Sequence, residues 1–204
     1  MSPETGAPRS RSRLGQTWGD GGRPGILSLA TPGAMDVPGS AAASLLQATI
    51  GMGFSEQVAR AGLEAELASW RAPGALDRLW AELSTPGTLT PARLPSAMLI
   101  VASRTLPAGT LRQVLLGRLL GARVLIKPAA GQFRVARAIA AADPLVEVRE
   151  AARDAPETLD AAIAEADSVV ILGSDAAVAA LRARTPAGHG FAGYGHRLSA
   201  AWLG

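Results

Sequence analysis

From residue 97 onward, short apolar runs alternate with longer stretches of helical spacing. "AMLIVAS" (97–103), "ARVLIKP" (122–128), "LVEVRE" (145–150) and "SVVILGS" (168–174) read as strands. "GFAGYG" (190–195) and "RLSAAWLG" (197–204) are two further strand candidates. Between them, residues 109–121, 131–143, 156–167 and 175–184 place apolar residues three and four apart, as helices require. Continuous apolar runs separated by helices predict a mostly parallel sheet covered on both faces, a doubly wound α/β fold.

Upstream the rhythm differs. Residues 40–83 read as helical, with Ser55 a cap before a helix carrying Val58, Leu63 and Leu67. A shorter helix carries Leu76, Leu79, Trp80 and Leu83, and the three prolines of "STPGTLTPARLPS" then end the pattern. Residues 1–38 are rich in Gly, Pro, Ser and Arg, and are expected to be mostly disordered. Within them the apolar patch "GILSLATPGAM" is a candidate for local docking. The expected organisation is a tail (1–38), a helical segment (39–94) and an α/β domain (95–204).

Composition narrows the function classes. Apolar residues are 48% of the 204, enough for a sizeable core. The formal charge is only +3, and the basic residues are dispersed without interleaved aromatics, so nucleic acid is not an expected partner. The chain has no cysteine, which removes disulfides, thiolate metal sites and a cysteine nucleophile together. Its two histidines, His189 and His196, are too few for a histidine metal cage. No apolar run approaches the roughly 18 residues of a membrane span, and residues 1–22 show no signal-peptide core. A soluble, cytoplasmic protein is the expectation.

In parallel sheets ligands bind beyond the carboxyl ends of the strands. Three segments therefore matter: "ASRTLP", "KPAAG" and "GSDAA". Lys127 is the only lysine in a chain whose other basic residues are all arginine. At a strand end before Pro128 it can present a point charge to a phosphate or a ribose hydroxyl; elsewhere a lysine in this position is simply solvated. Gly173 and Ser174 form a tight turn into a helix, where amide groups and a hydroxyl can hold a phosphate. Ser174 and Asp175 are equally ordinary helix caps, and an inward Asp175 would repel a phosphate. No G-x-G-x-x-G follows any strand. His196 in "GYGHR" is either a proton donor or part of a satisfied polar turn.

Taken together, "MLIVAS…LRQVLLGRLLGARVLIKPAAG", "ADSVVILGSDAAVAALRARTPAG" and "GFAGYGHRLSAAWLG" resemble the acyl-CoA reductases of the LuxC type, within the aldehyde dehydrogenase superfamily. The resemblance spans roughly residues 40–204 and is firmest after residue 95. It implies an aldehyde-dehydrogenase-like cofactor domain and a long-chain acyl-CoA reductase that makes fatty aldehyde with NADPH, as in bacterial bioluminescence. It implies NADP(H) as cofactor, with Lys127 and Pro128 at the adenosine ribose and Gly173 and Ser174 at the pyrophosphate. It places Tyr194 and His196 toward the active-site side.

Two departures qualify what the resemblance implies. The family's thiolate takes the acyl group from the thioester, from a position C-terminal to "GYGHR", and this sequence holds no such cysteine. The family's oxyanion-binding asparagine is replaced in "ASRTLP" by Arg104, with a shifted Pro107. The expectation is a chain inactive alone: a fragment, one half of a split enzyme whose partner supplies the cysteine, or a non-catalytic cofactor-binding or assembly module. An exposed domain surface would favour self-association.

Overall fold

The computed structural model describes residues 24–84, 94–105, 107–150 and 156–195. Five strands form one all-parallel sheet: β1 (Ala97–Val101), β2 (Arg123–Lys127), β3 (Val146–Val148), β4 (Ser168–Leu172) and β5 (Gly190–Tyr194). Their order across the sheet is β3-β2-β1-β4-β5. The helices are α1 (Ala41–Ile50), α2 (Glu56–Arg71), α3 (Ala75–Ser84), α4 (Ala108–Leu119), α5 (Phe133–Ala140), α6 (Pro156–Glu165) and α7 (Asp175–Arg184). The architecture is α/β and Rossmann-like, as the alternation of runs predicts. The candidate strand at 197–204 lies outside the described residues.

Side-chain alternation divides the core in two. Met98, Ile100, Val124, Ile126, Val146 and Val170 face one side, where α4 and α5 cover them and α1 and α2 form a further layer. Leu99, Leu125, Val169 and Ile171 face the other, against Ala162 and Ile163 of α6 and Leu181 of α7. Leu45, Leu63 and Leu67 share one core with the sheet residues Ile100 and Val124. The helical segment is therefore packed into the α/β unit rather than set apart from it.

Ser40 and Ser55 cap α1 and α2, accepting the amides of Ala43 (2.9 Å) and Val58 (3.3 Å). The inward stripe of α2 is Ala59, Leu63, Leu67 and Trp70. Val58 was expected on that stripe and is exposed instead, because the register of Leu63 and Leu67 runs back to Ala59. Glu66 joins α2 to α4: it accepts from Trp70 Nε1 (2.8 Å) and from Arg112 Nε and Nη2 (3.1 and 3.2 Å). Leu76 and Leu79 of α3 pack against the same core, while the side chains of Trp80 and Leu83 are outside the described set.

Residues 24–38 correct the expectation of a disordered stretch reaching Pro38. A 3-10 helix at Gly25–Ala30 buries Ile26, Leu27, Leu29 and Ala30 in the main core. The segment is held by Asp143, a carboxylate buried at the turn before β3. Asp143 accepts from the Ile26 amide (3.3 Å), Arg118 Nε (3.1 Å) and the Leu145 amide (3.0 Å). Gly25 permits this contact: a Cβ there would stand 2.3 Å from the Ala142 carbonyl oxygen. Residues 1–23 lie outside the described residues.

Candidate functional site at the carboxyl ends of the strands

Strand order reverses between β1 and β4, which are hydrogen-bonded neighbours in the middle of the sheet. The chain leaves β1 into α4 on one face and β4 into α7 on the other. Loops that depart to opposite faces leave a crevice between them, the place where parallel sheets hold ligands. The register puts Lys127, Val101, Ile171 and Gly193 in one row across four strands. At about 4.8 Å per strand, Lys127 lies roughly 10 Å along that row from Ile171.

The sequence candidates converge on this edge. Lys127 is half-buried at the end of β2, on the α6–α7 face by alternation from Leu125, and no carboxylate pairs with it among the described residues. Its carbonyl accepts the Ala102 amide (3.0 Å), fixing the start of the β1–α4 loop. That loop carries the exposed Arg104. It is braced by the Ser103–Thr105 hydroxyl pair (2.8 Å) and by Gln132 Nε2, which donates to the Thr105 carbonyl (2.9 Å). Pro128 begins the turn leading to Gln132 and α5. Gly173 and Ser174 follow β4, and Tyr194 ends β5 beside them, exposed. His196 lies outside the described residues.

The turn after β4 has a defined use for each donor. The Gly173 amide donates to the Tyr194 carbonyl (3.1 Å), so it is spent within the sheet. The Ser174 hydroxyl accepts the Ala177 amide (3.2 Å) and keeps its own hydrogen to donate outward. Asp175 turns toward β5: a Cβ on Gly195 would lie 2.0 Å from its Oδ1. A Cβ on Gly193 would lie 2.4 Å from Val178 Cγ1. The two glycines stand on one face of β5 because they are two residues apart, and they let α7 approach. "GSDAA" and "GFAGYG", separate in the sequence, thus form one junction.

Beyond that junction lies an open groove of about 520 Å3, lined by Asp175, Val178, Ala179 and Arg182 of α7, by Phe191 and Gly193 of β5, and by Gly195. Arg182 lies over the Phe191 ring at 4.8 Å from its centre. Sequence reasoning did not single out Val178, Arg182 or Phe191. The readable signal was the i, i+7 pair Asp175 and Arg182 flanking alanines on one helix face.

The described residues hold no group of three or more His, Asp or Glu side chains placed to share a metal ion. No described helix is long and apolar enough to cross a membrane. No protein-family model, no curated protein and no solved structure matches the chain.

Proposed function

We propose that the chain binds NADP(H) across the carboxyl ends of β2, β1 and β4, as the cofactor-binding part of a long-chain acyl-CoA reductase with an aldehyde-dehydrogenase-like fold. The observation that carries this reading is the strand order β3-β2-β1-β4-β5 with its reversal between β1 and β4. Lys127 and the Gly173–Ser174 turn stand on either side of that reversal. The resemblance to LuxC-type reductases supplies the identity of the cofactor and the reaction.

The residues present suit such a ligand. Lys127 offers a cation that no described carboxylate neutralises, suited to a ribose hydroxyl or a 2′-phosphate. Ser174 offers a hydroxyl hydrogen and α7 offers amides of its first turn, that of Ala176 among them. Asp175 directs its charge to the β5 side rather than adding it to these donors. Gly173 leaves the turn without a side chain. NADPH, when bound, supplies hydride. The chain supplies no thiolate, so acyl transfer belongs to a cysteine outside these 204 residues. The absence of that nucleophile also favours a second reading, a cofactor-binding or assembly module without chemistry of its own.

Calorimetric titration with NADPH tests the proposal. Saturable binding is expected, with Lys127→Ala weakening it at least about tenfold, the loss of one charge-assisted contact. NADPH binding of equal strength in parent and variant would remove Lys127 from the site, and no binding by the parent would remove the cofactor.

A further inference from the structure

Helix α4 begins at the reversal of strand order, and its first turn lies over the end of β4: a Cβ on Gly109 would stand 3.8 Å from Leu172 Cδ1. Leu172 precedes the Gly173–Ser174 turn, so the amino ends of α4 and α7 flank one crevice. The α4 end has no side-chain cap and no acidic residue in its first turn. Its first helical bond runs from the Leu111 amide to the Pro107 carbonyl (2.8 Å), and the amides of Ala108, Gly109 and Thr110 find no acceptor among the described residues.

A second, independent feature sits beneath that turn. Thr110 is 7% exposed, and its hydroxyl makes no hydrogen bond among the described residues. Two other threonines return theirs to the carbonyl four residues back, Thr49 to Leu45 (2.7 Å) and Thr185 to Leu181 (2.9 Å). Thr110 faces the sheet: Gly117 shares its stripe at i+7, and a Cβ there would stand 2.8 Å from Val124 Cγ2. Helix side chains lean toward the amino end, so Thr110 leans toward the crevice at the strand ends. Among the described residues His189 Nδ1 alone is both sealed from solvent and unpartnered, so the Thr110 oxygen remains reachable. A buried hydroxyl without a partner costs stability that a ligand would restore.

We propose that the amino end of α4 holds a phosphoryl group, with the Thr110 hydroxyl and the amides of Ala108 and Gly109 as its donors. The identity of that group rests on the cofactor reading above: it is the pyrophosphate phosphate of NADP(H) that does not lie at Ser174. The pyrophosphate then bridges two helix ends whose partial positive charges would otherwise face each other across the crevice. Gly109 is exposed and has no side chain to hold the anion away.

Thr110→Val and Thr110→Ser test it, by calorimetric titration of the full chain with NADPH and, separately, with inorganic pyrophosphate. Thr110→Val keeps the shape and removes the hydroxyl. It is expected to bind NADPH at least about tenfold more weakly, the loss of one hydrogen bond to a charged group. It is also expected to melt at or above the parent temperature, because an unpartnered buried hydroxyl gives way to a methyl group. Thr110→Ser keeps the donor and is expected to bind as the parent does. A Thr110→Val protein that melts lower and binds NADPH as tightly as its parent overturns the proposal, since the hydroxyl then serves the fold. Unchanged binding with unchanged melting overturns it as well, and leaves the cofactor reading standing. A parent that ignores NADPH removes the cofactor reading, and pyrophosphate then decides the site alone. Pyrophosphate binding that Thr110→Val weakens about tenfold upholds a phosphate site on α4, and no pyrophosphate binding by the parent overturns it.

Discussion

The two outer strands of the sheet are finished differently. β3 contributes three residues, and its middle residue is Glu147. Glu147 accepts from Arg123 Nη1 (3.0 Å), while Glu165 at the end of α6 accepts from Arg123 Nη2 (2.6 Å) and Arg149 Nη2 (2.8 Å). Arg149 Nη1 closes the ring on Glu147 at 2.7 Å. Charge and shortness together make that edge a poor template for another strand. β5 is longer, uncharged and glycine-rich, with an open groove beside it. Among the described residues, one border of the sheet is closed by a ring of charges and the other carries none.

The largest effect is expected at the finished border. Asp143 sits just before β3 and is 2% exposed, and its Arg118 partner is 9% exposed at the side chain. Removing one member of a buried pair leaves the other charge uncompensated, a loss of about 3–5 kcal/mol. Asp143→Ala also deprives the Ile26 and Leu145 amides of their acceptor. Thermal unfolding of Asp143→Ala is expected to shift down by roughly 10 °C, at about 2–4 °C per kcal/mol for a chain of this size. Hydrogen exchange is expected to rise at Ile26–Ala30 as well as at β3. A shift of only a degree or two would mean that the N-terminal segment holds to the core without this carboxylate.

That carboxylate also shows why part of the fold was hidden from the sequence. The strands were readable because "MLIV", "VLI" and "VVIL" are continuous apolar runs, which only a doubly covered sheet requires. Residues 24–38 were readable only in part: the apolar patch "GILSLATPGAM" marked a docking segment, but its place in the main core depends on contacts such as Ile26 with Asp143, more than a hundred residues away. Val58 and Ala59 were exchanged for a similar reason: hydrophobicity favours valine, while the packing register of α2 favours the smaller neighbour. For the site, the strand ends were readable but their lateral order was not. Which loops become neighbours depends on the β1–β4 pairing, and no local pattern specifies it. The groove escaped notice because its defining residues come from a helix stripe and a strand face in separate segments.

A smaller effect concerns the ring of charges at β3. Hydrogen bonds from Arg123, then Arg149, hold the Glu147 carboxyl below its ordinary range. Arg149, then Arg123, do the same for Glu165. Depressed folded-state values mean that these groups add stability above their unfolded pKa, about 4.3, and lose it as pH falls through their lower folded values. About a third of each side chain is exposed, so screening keeps each pair under about 1 kcal/mol. The Glu147→Gln/Glu165→Gln double variant is expected to show a shallower fall in melting temperature below pH 4.5 than its parent, and a similar one above pH 6. An identical acid limb in both proteins would assign the loss to groups outside this ring.

The smallest effect on stability, and the sharpest on binding, is expected at Gly173, where the logic of the two borders recurs on a single turn. Gly193 and Gly195 are required by packing, since α7 occupies the space a side chain would need. Gly173 is not. A Cβ there meets nothing nearer than the Ala177 methyl at 3.5 Å, ordinary contact, and its backbone is outside the left-handed region that demands glycine. The fold thus tolerates Gly173→Ala, and lower entropy of the unfolded chain adds about 0.4–1 kcal/mol of stability. A ligand that approaches the turn would meet the new methyl group. Gly173→Ala is accordingly expected to melt at or slightly above the parent temperature and to bind NADPH at least about tenfold more weakly, the cost of holding a phosphate off its amide donors. A lowered melting temperature would show that packing at the β4–α7 turn does select glycine. Unchanged stability with unchanged binding would move the ligand away from this turn, leaving Lys127 to act without it.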